Sequence, residues 1–266
     1  MNYIKDNKAA WEAAFDNRSG DYAKDLLSRL KNEENPYFDS DLYTILNQYD
    51  LKDKTIAQYC TNNGRELLQL SLKGVKKAIG FDIAENMVNY ANDIAQKLNA
   101  PAQFIQTDIL TIDARFHDTF DLGLITVGAL CWFKDLNAFL KVVKDTCKEN
   151  AILIINETHP FGLMLATEAE DAYDENHPKR LTYNYFGHTV WQEHGMGYMS
   201  DKKTATTFTS YSHTLSDIFS SLIKNDFIIQ DFKEYDYCAA NLFTHLNHQG
   251  IPLLMTLVAK KAQKNP

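Results

Sequence analysis

Thr55-Ile-Ala-Gln-Tyr-Cys60-Thr-Asn-Asn-Gly64-Arg-Glu-Leu-Leu-Gln-Leu70, followed by Lys77-Ala-Ile-Gly-Phe-Asp82-Ile, is the stretch that decides the fold. A short β-rich run, Thr55 to Cys60, breaks into a polar turn. The apolar spacing then switches from strand to helix over Gly64 to Leu72, and Gly74 stops the helix. A second apolar run, Lys77 to Asp82, follows at once. Strand, helix, strand in this order reads as a βαβ unit of a parallel sheet.

The rhythm continues outward. Met87, Ala91, Ile94 and Leu98 mark one buried face of a helix. Gln103 to Gln106 and Phe120 to Val127 read as strands three and four. Leu136, Leu140, Val143 and Cys147 mark a further helix face, and Ala151 to Asn156 a fifth strand. Thr214 and Asp217 read as a capping box opening a helix, with Leu215, Ile218, Phe219 and Leu222 toward the core. Phe227 to Tyr235 and Pro252 to Ala259 close the chain as strands joined like a long hairpin. The expected fold is a single α/β domain, 1–266, with a doubly wound, mostly parallel seven-stranded sheet and an antiparallel last strand. Upstream, 8–16, 21–31 and 39–49 read as helices, so 1–50 is expected to form an N-terminal helical cover. Residues 161–213 break the rhythm with Pro, Gly, His and aromatics. They are expected to form an inserted lid, with a β-ribbon near Thr204 to Tyr211.

Composition narrows the function. The chain has 266 residues, 45% hydrophobic and 23% charged, enough for a sizeable core. A net charge of -8 without a Lys/Arg-rich run argues against a nucleic-acid partner. Cys60, Cys131, Cys147 and Cys238 form no C-x-x-C pair, which suits reduced thiols in the cytoplasm. The longest apolar runs are too short to span a bilayer. His188 with His194, and His245 with His248, match no zinc spacing, so no metal is expected.

Open α/β sheets bind ligands at the carboxyl ends of their strands. Three such ends carry suggestive residues. Asn62 and Asn63, beside Gly64, tolerate left-handed backbone and suit a turn that lets a ligand approach closely. Asp82 lies 18 residues beyond Gly64, close to the ~20 expected of an acid that binds ribose hydroxyls. Thr107-Asp108 follows the third strand. Each has an ordinary alternative as a turn or a helix cap.

Together these pieces resemble class I S-adenosylmethionine-dependent methyltransferases, in a bacterial subgroup whose degenerate glycine motif ends in Asn62-Asn63-Gly64-Arg65-Glu66. Gly80-Phe-Asp-Ile83, Gln106-Thr-Asp-Ile109, Gly128-Ala-Leu-Cys-Trp132, Glu157-Thr-His-Pro160 and His213-Thr-Leu-Ser216 also match. Asn7-Lys-Ala-Ala-Trp11 is similar to a helix that covers the cofactor, so the likeness spans nearly the whole chain. The usual acid and first two glycines of the motif stand here as Gln58, Cys60 and Asn62.

The resemblance implies S-adenosylmethionine as cofactor. Cys60, Thr61, Asn62, Asn63 and Gly64 would lie along its methionine part, and Asp82, with Ile83 and Met87 after it, would hold the ribose. Thr107, Asp108 and Ile109 would frame the adenine, Thr126, Val127 and Gly128 would face the methyl group, and Trp11 would cover the site. His159 is the candidate general base, because imidazole titrates near neutrality and Glu157 is placed to orient it. Trp132 and Tyr183 would wall a pocket for a small-molecule substrate, with Tyr185, Trp191 and Tyr198 nearby in the lid. A homodimer contact through the lid is a further expectation. Two other readings stand beside this one. The degenerate turn suits a non-catalytic protein that keeps the fold, and Asp82 suits a nicotinamide-dependent oxidoreductase, although G-x-G-x-x-G is absent.

Overall fold

The structure is a computed structural model that describes residues 3–195, 199–200 and 206–263. Seven strands form one sheet: β1 (Thr55–Tyr59), β2 (Lys77–Asp82), β3 (Ala102–Gln106), β4 (Phe120–Ile125), β5 (Cys147–Thr158), β8 (Phe227–Tyr235) and β9 (Leu254–Lys261). Their order is β3-β2-β1-β4-β5-β9-β8. The pairs from β3 through β5 are parallel, while β9 runs antiparallel to both β5 and β8. The chain winds from β1 out to β3, then returns to place β4 on the other side of β1. That reversal opens a crevice at the carboxyl ends of β1 and β4.

Helices cover both faces. On one, α6 (Leu136–Thr146) and α7 (Leu215–Lys224) pack Leu140, Val143, Ile218 and Leu222 against Tyr59, Ile125 and Leu257. On the other, α2 (Leu26–Asn32), α3 (Ser40–Leu46), α4 (Arg65–Ser71) and α5 (Glu85–Leu98) cover Ile56, Ala78, Phe104 and Leu124. The central strands are buried on both sides, which is why they read as nearly unbroken apolar runs. The expected capping box at Thr214 and Asp217 is present, and β8 and β9 form the expected long hairpin.

Several boundaries differ from the expectation. The helix expected over 21–31 is a 3-10 turn, Gly20–Ala23, and then α2, because Asp25 accepts the Ser28 N–H and restarts the helix. The helix at 8–16 extends back to Tyr3 as α1 (Tyr3–Asp16). Cys147 does not continue α6; it begins β5. The ribbon in 161–213 pairs β6 (Val190–His194) with β7 (Thr207–Tyr211). Thr204, the expected start of that ribbon, and Tyr198 lie outside the described residues.

At the opposite end of the sheet, Lys261 is buried, and its ammonium donates to Asp118 Oδ1 and to the carbonyls of Lys144 and Cys147. All three donors are used, so this lysine fastens β9 to the start of β5.

Candidate cofactor cleft

The turn after β1 holds an alternating backbone. Cys60, Asn62 and Gly64 have φ of 59°, 53° and 78°. These are the three positions at which the motif usually carries glycine, and the chain keeps the left-handed conformation with a cysteine and an asparagine. Gly64 is required for a second reason. A Cβ there would lie 2.6 Å from Phe104 Cε1 and 2.8 Å from Ala91 Cβ.

Asp82, at the end of β2, faces this turn. Its Oδ2 accepts the Asn62 N–H at 2.7 Å, and Oδ1 accepts the Ala84 N–H at 3.0 Å. Burial pushes its carboxyl up to about 6, against the pull of those backbone donors. Thr107 N–H bonds to the Asp82 carbonyl, which brings the third strand end alongside. Asp108 caps its own short turn by accepting the Leu110 N–H, and Ile109 is buried behind it.

Gln58 joins the two sides of the crevice. Its amide donates to Thr126 Oγ1 on the β4 side and to Glu66 on α4. Three buried polar atoms of this turn, Gln58 Oε1, Thr61 Oγ1 and Asn63 Oδ1, have no hydrogen-bond partner among the described residues. Buried orphans are uncommon in folded proteins, and three of them fall within six residues of this turn.

Glu157 has a different task from the expected one. Its carboxylate accepts four backbone N–H groups, from Gly128, Ala129, Leu130 and Thr158. It fixes the loop after β4 and does not orient His159. Burial raises its carboxyl, and the four donors act against that. Glu157→Gln leaves one oxygen for four donors and turns an NH₂ toward an N–H. It is expected to lower stability by about 2–4 kcal/mol, read from the urea midpoint.

His159 is 4% exposed. Its Nδ1 accepts the Phe161 N–H at 3.0 Å, and Nε2 lies 2.9 Å from Glu234 Oε1 on β8. Burial lowers its pKa, opposed by the Glu234 charge. The Phe161 N–H takes the Nδ1 lone pair and leaves the proton on Nε2, so the ring as placed does not fit the expected base.

Trp11, on α1, meets Trp132 edge-on at 5.3 Å, and Trp132 meets Phe208 of β7 at 5.7 Å. Met87 and Ala84 pack against the same group. Tyr183 stands elsewhere in the lid, bonded to Glu170 and edge-on to Trp191 at 5.6 Å. The structure therefore brings together the candidates from β1, β2, β3, β4 and α1, while Tyr183 joins a separate lid cluster. Phe208 escaped the sequence reading because nothing in its neighbourhood has a period. Gln58 appeared there only as a departure from a motif; a buried amide at a strand end was the available signal.

The thiols of Cys60 and Cys131 are held neutral, their pKa values raised by burial first and then by carboxylates that include Glu157. Asp82, Asp108 and Glu157 make the cleft acidic. No group of three or more His, Cys, Asp or Glu among the described residues could hold a metal, and no helix among them is long and apolar enough to cross a membrane.

This sheet order, with a left-handed turn facing an acid at the next strand end, is that of the class I methyltransferase fold. Residues 51–203 match the family model described as a methyltransferase domain, and the chain belongs to that family. The family match sets aside the nicotinamide-dependent alternative. Among solved structures, a putative S-adenosylmethionine-dependent methyltransferase from Listeria monocytogenes is similar at 19% identity and a TM-score of 0.64, covering 83% of this chain and 98% of that one. Magnesium protoporphyrin IX methyltransferase from Synechocystis, solved with bound S-adenosylhomocysteine, is similar at 14% identity and a TM-score of 0.60, covering 98% and 100%. An uncharacterized protein of Methanocaldococcus jannaschii is 29% identical over 101 residues, 34% of this chain; the match spans about half of that protein, 46% of its length.

Proposed function

We propose that the chain uses S-adenosylmethionine to methylate a small, neutral or apolar molecule, in the cleft between β1 and β4. The observation that carries this is the turn from Gln58 to Gly64. It offers three orphaned polar atoms and a left-handed backbone directly beside Asp82. The residues fit the cofactor's chemistry. A carboxylate has about four acceptor sites, so Asp82 keeps room for two ribose hydroxyls beyond its two backbone donors. Gln58, Thr61 and Asn63 would receive the polar end of the methionine part. Ile83, Met87, Thr107, Asp108 and Ile109 would line the nucleoside, and Thr126 to Gly128 would face the transferable methyl. The acidic lining favours a ligand that carries positive charge.

S-adenosylmethionine supplies a methyl group bonded to a sulfonium. The protein's task is then placement: Trp11 and Trp132 exclude water, and Glu157 holds the Gly128 loop rigid. Orientation of this kind supplies up to about 7–11 kcal/mol of a barrier. His159 enters the proposal as the residue that holds the end of β5, not as a proton acceptor. Residues 1–50 serve as a cover and 161–213 as a lid. The four free cysteines support a cytoplasmic setting, and the net charge of -8 supports a partner other than nucleic acid. Phe186 in the lid, 74% exposed, is where a homodimer contact would fall.

Calorimetric titration with S-adenosylmethionine, S-adenosylhomocysteine and NAD tests the reading. One-site binding of the first two and none of the third is expected. Binding of NAD alone, or of nothing at millimolar concentrations, would overturn it.

A further inference from the structure

The motif Asn7-Lys-Ala-Ala-Trp11 contains a buried asparagine that the cleft does not use. Asn7 is 6% exposed. Its Oδ1 accepts the Thr209 N–H at 2.7 Å, and its Nδ2 donates to the Thr209 carbonyl at 2.9 Å. The side-chain amide thus pairs with one peptide of β7 as a neighbouring strand would, with both groups of Thr209 satisfied by one residue 202 positions away. One turn along the same helix, Trp11 meets Trp132, which meets Phe208, the residue before Thr209. Tyr3 meets Tyr211 at 5.6 Å.

The other flank of α1 is tied to the cleft. Glu12 Oε1 accepts the Glu85 N–H at 3.0 Å, and Asn86 donates to the Glu12 carbonyl and to Asp16, each at 2.9 Å. Glu85 opens α5 directly after Ala84, whose N–H rests on Asp82. A single helix therefore bridges the carboxylate of the cleft and the ribbon of the lid.

We propose that Asn7 is a positioning residue that joins α1 and the β6–β7 ribbon into one cap, so that occupation of the cleft at Asp82 sets the aromatic wall at the methyl side. This rests on the reading of the cleft as the cofactor site. Coupling of this kind is reciprocal: whatever orders the ribbon also tightens the cleft. The rival arrangement is that the aromatic contacts alone hold the ribbon, with the Asn7 bonds a local convenience.

All three tryptophans of the chain, Trp11, Trp132 and Trp191, lie in or against the cap, so intrinsic emission reads it directly. The test uses the full chain as wild type, Asn7→Ala, Asn7→Asp and Asn7→Ser. Asn7→Asp keeps the shape and the acceptor but sets a carboxyl oxygen against the Thr209 carbonyl and adds a charge, and Asn7→Ser, smaller and neutral, carries the comparison should the other variants fail to fold. In ligand-free protein, hydrogen exchange of the Thr209 amide is expected to speed about tenfold in Asn7→Ala. On titration with S-adenosylhomocysteine, the wild-type emission is expected to shift. In Asn7→Ala that shift is lost and the dissociation constant rises about tenfold. Thr209 exchange, emission and affinity all within about twofold of wild type would overturn the proposal. Failure of the wild type to bind S-adenosylhomocysteine would sink the reading of the cleft and the coupling with it; Thr209 exchange, needing no ligand, would still decide whether Asn7 clamps the ribbon.

Discussion

Asp82→Ala is expected to raise the dissociation constant for S-adenosylmethionine at least about 100-fold, because two charge-assisted bonds to ribose are worth about 1.5–3 kcal/mol each. The fold is expected to survive. The change strips two backbone N–H groups of their acceptor, but it also removes a carboxylate that burial has pushed up to about 6. The sign follows from that shift. A folded-state value above the ordinary 3.8 means the group's contribution to stability is present below 3.8 and lost as pH rises through about 6; at neutral pH the free charge is a net cost. Ribose hydroxyls donate to the charged form and relieve that cost. Affinity is therefore expected to rise as pH rises through about 6 and to level off above it. Below 6 it should fall by up to about tenfold per pH unit. Calorimetry on wild type and Asp82→Ala across pH 5 to 8 checks both parts: a wild-type affinity that is flat with pH, or an unchanged affinity in the variant, would remove Asp82 from the site.

The second large effect is at Gly64. Gly64→Ala places a side chain in left-handed backbone and against Phe104 and Ala91. Strain of about 1–2 kcal/mol and overpacking of about 1–3 kcal/mol add to a loss of about 2–5 kcal/mol. For a chain of this size that corresponds to a drop in melting temperature on the order of 5–15 °C. Gly80→Ala gives overpacking alone, against Phe104 and Thr61. Its Cβ would meet the same Phe104 ring, at 2.4 Å, without a positive φ. Both variants are expected to melt below wild type; a Gly64→Ala protein that melts within about 2 °C of wild type would show that neither strain nor overpacking acts there.

The central sheet was legible because parallel strands buried on both faces leave little freedom of sequence. β2 has the expected ends, and β1 differs by one residue. The antiparallel arm was equally readable, from a strand pair without a helix between. The lid was not. β6 is mostly exposed, so its residues carry no apolar alternation, and only its partner β7 overlapped the expected ribbon. The helix expected over 21–31 broke at Asp25, where one side-chain cap outweighed a continuous helical pattern.

The cleft divides the same way. Asn62 was readable as a glycine substitute, and its φ of 53° agrees. That Cys60 adopts the same conformation was not foreseeable, since cysteine has no special tolerance for it. Glu157 and His159 are adjacent in a motif and point to different partners, one to the Gly128 loop and one to Glu234, because a strand end places its last residues by what surrounds them. Sequence proximity could not separate those roles.

The turn from Gln58 to Gly64, with Asp82, is proposed to hold the cofactor. A crystal structure with S-adenosylhomocysteine tests it most directly. Ribose hydroxyls are expected on the Asp82 carboxylate and the homocysteine end on Gln58, Thr61 or Asn63, with their orphaned atoms now bonded. A ligand bound elsewhere, with Asp82 still holding only Asn62 and Ala84, would contradict it.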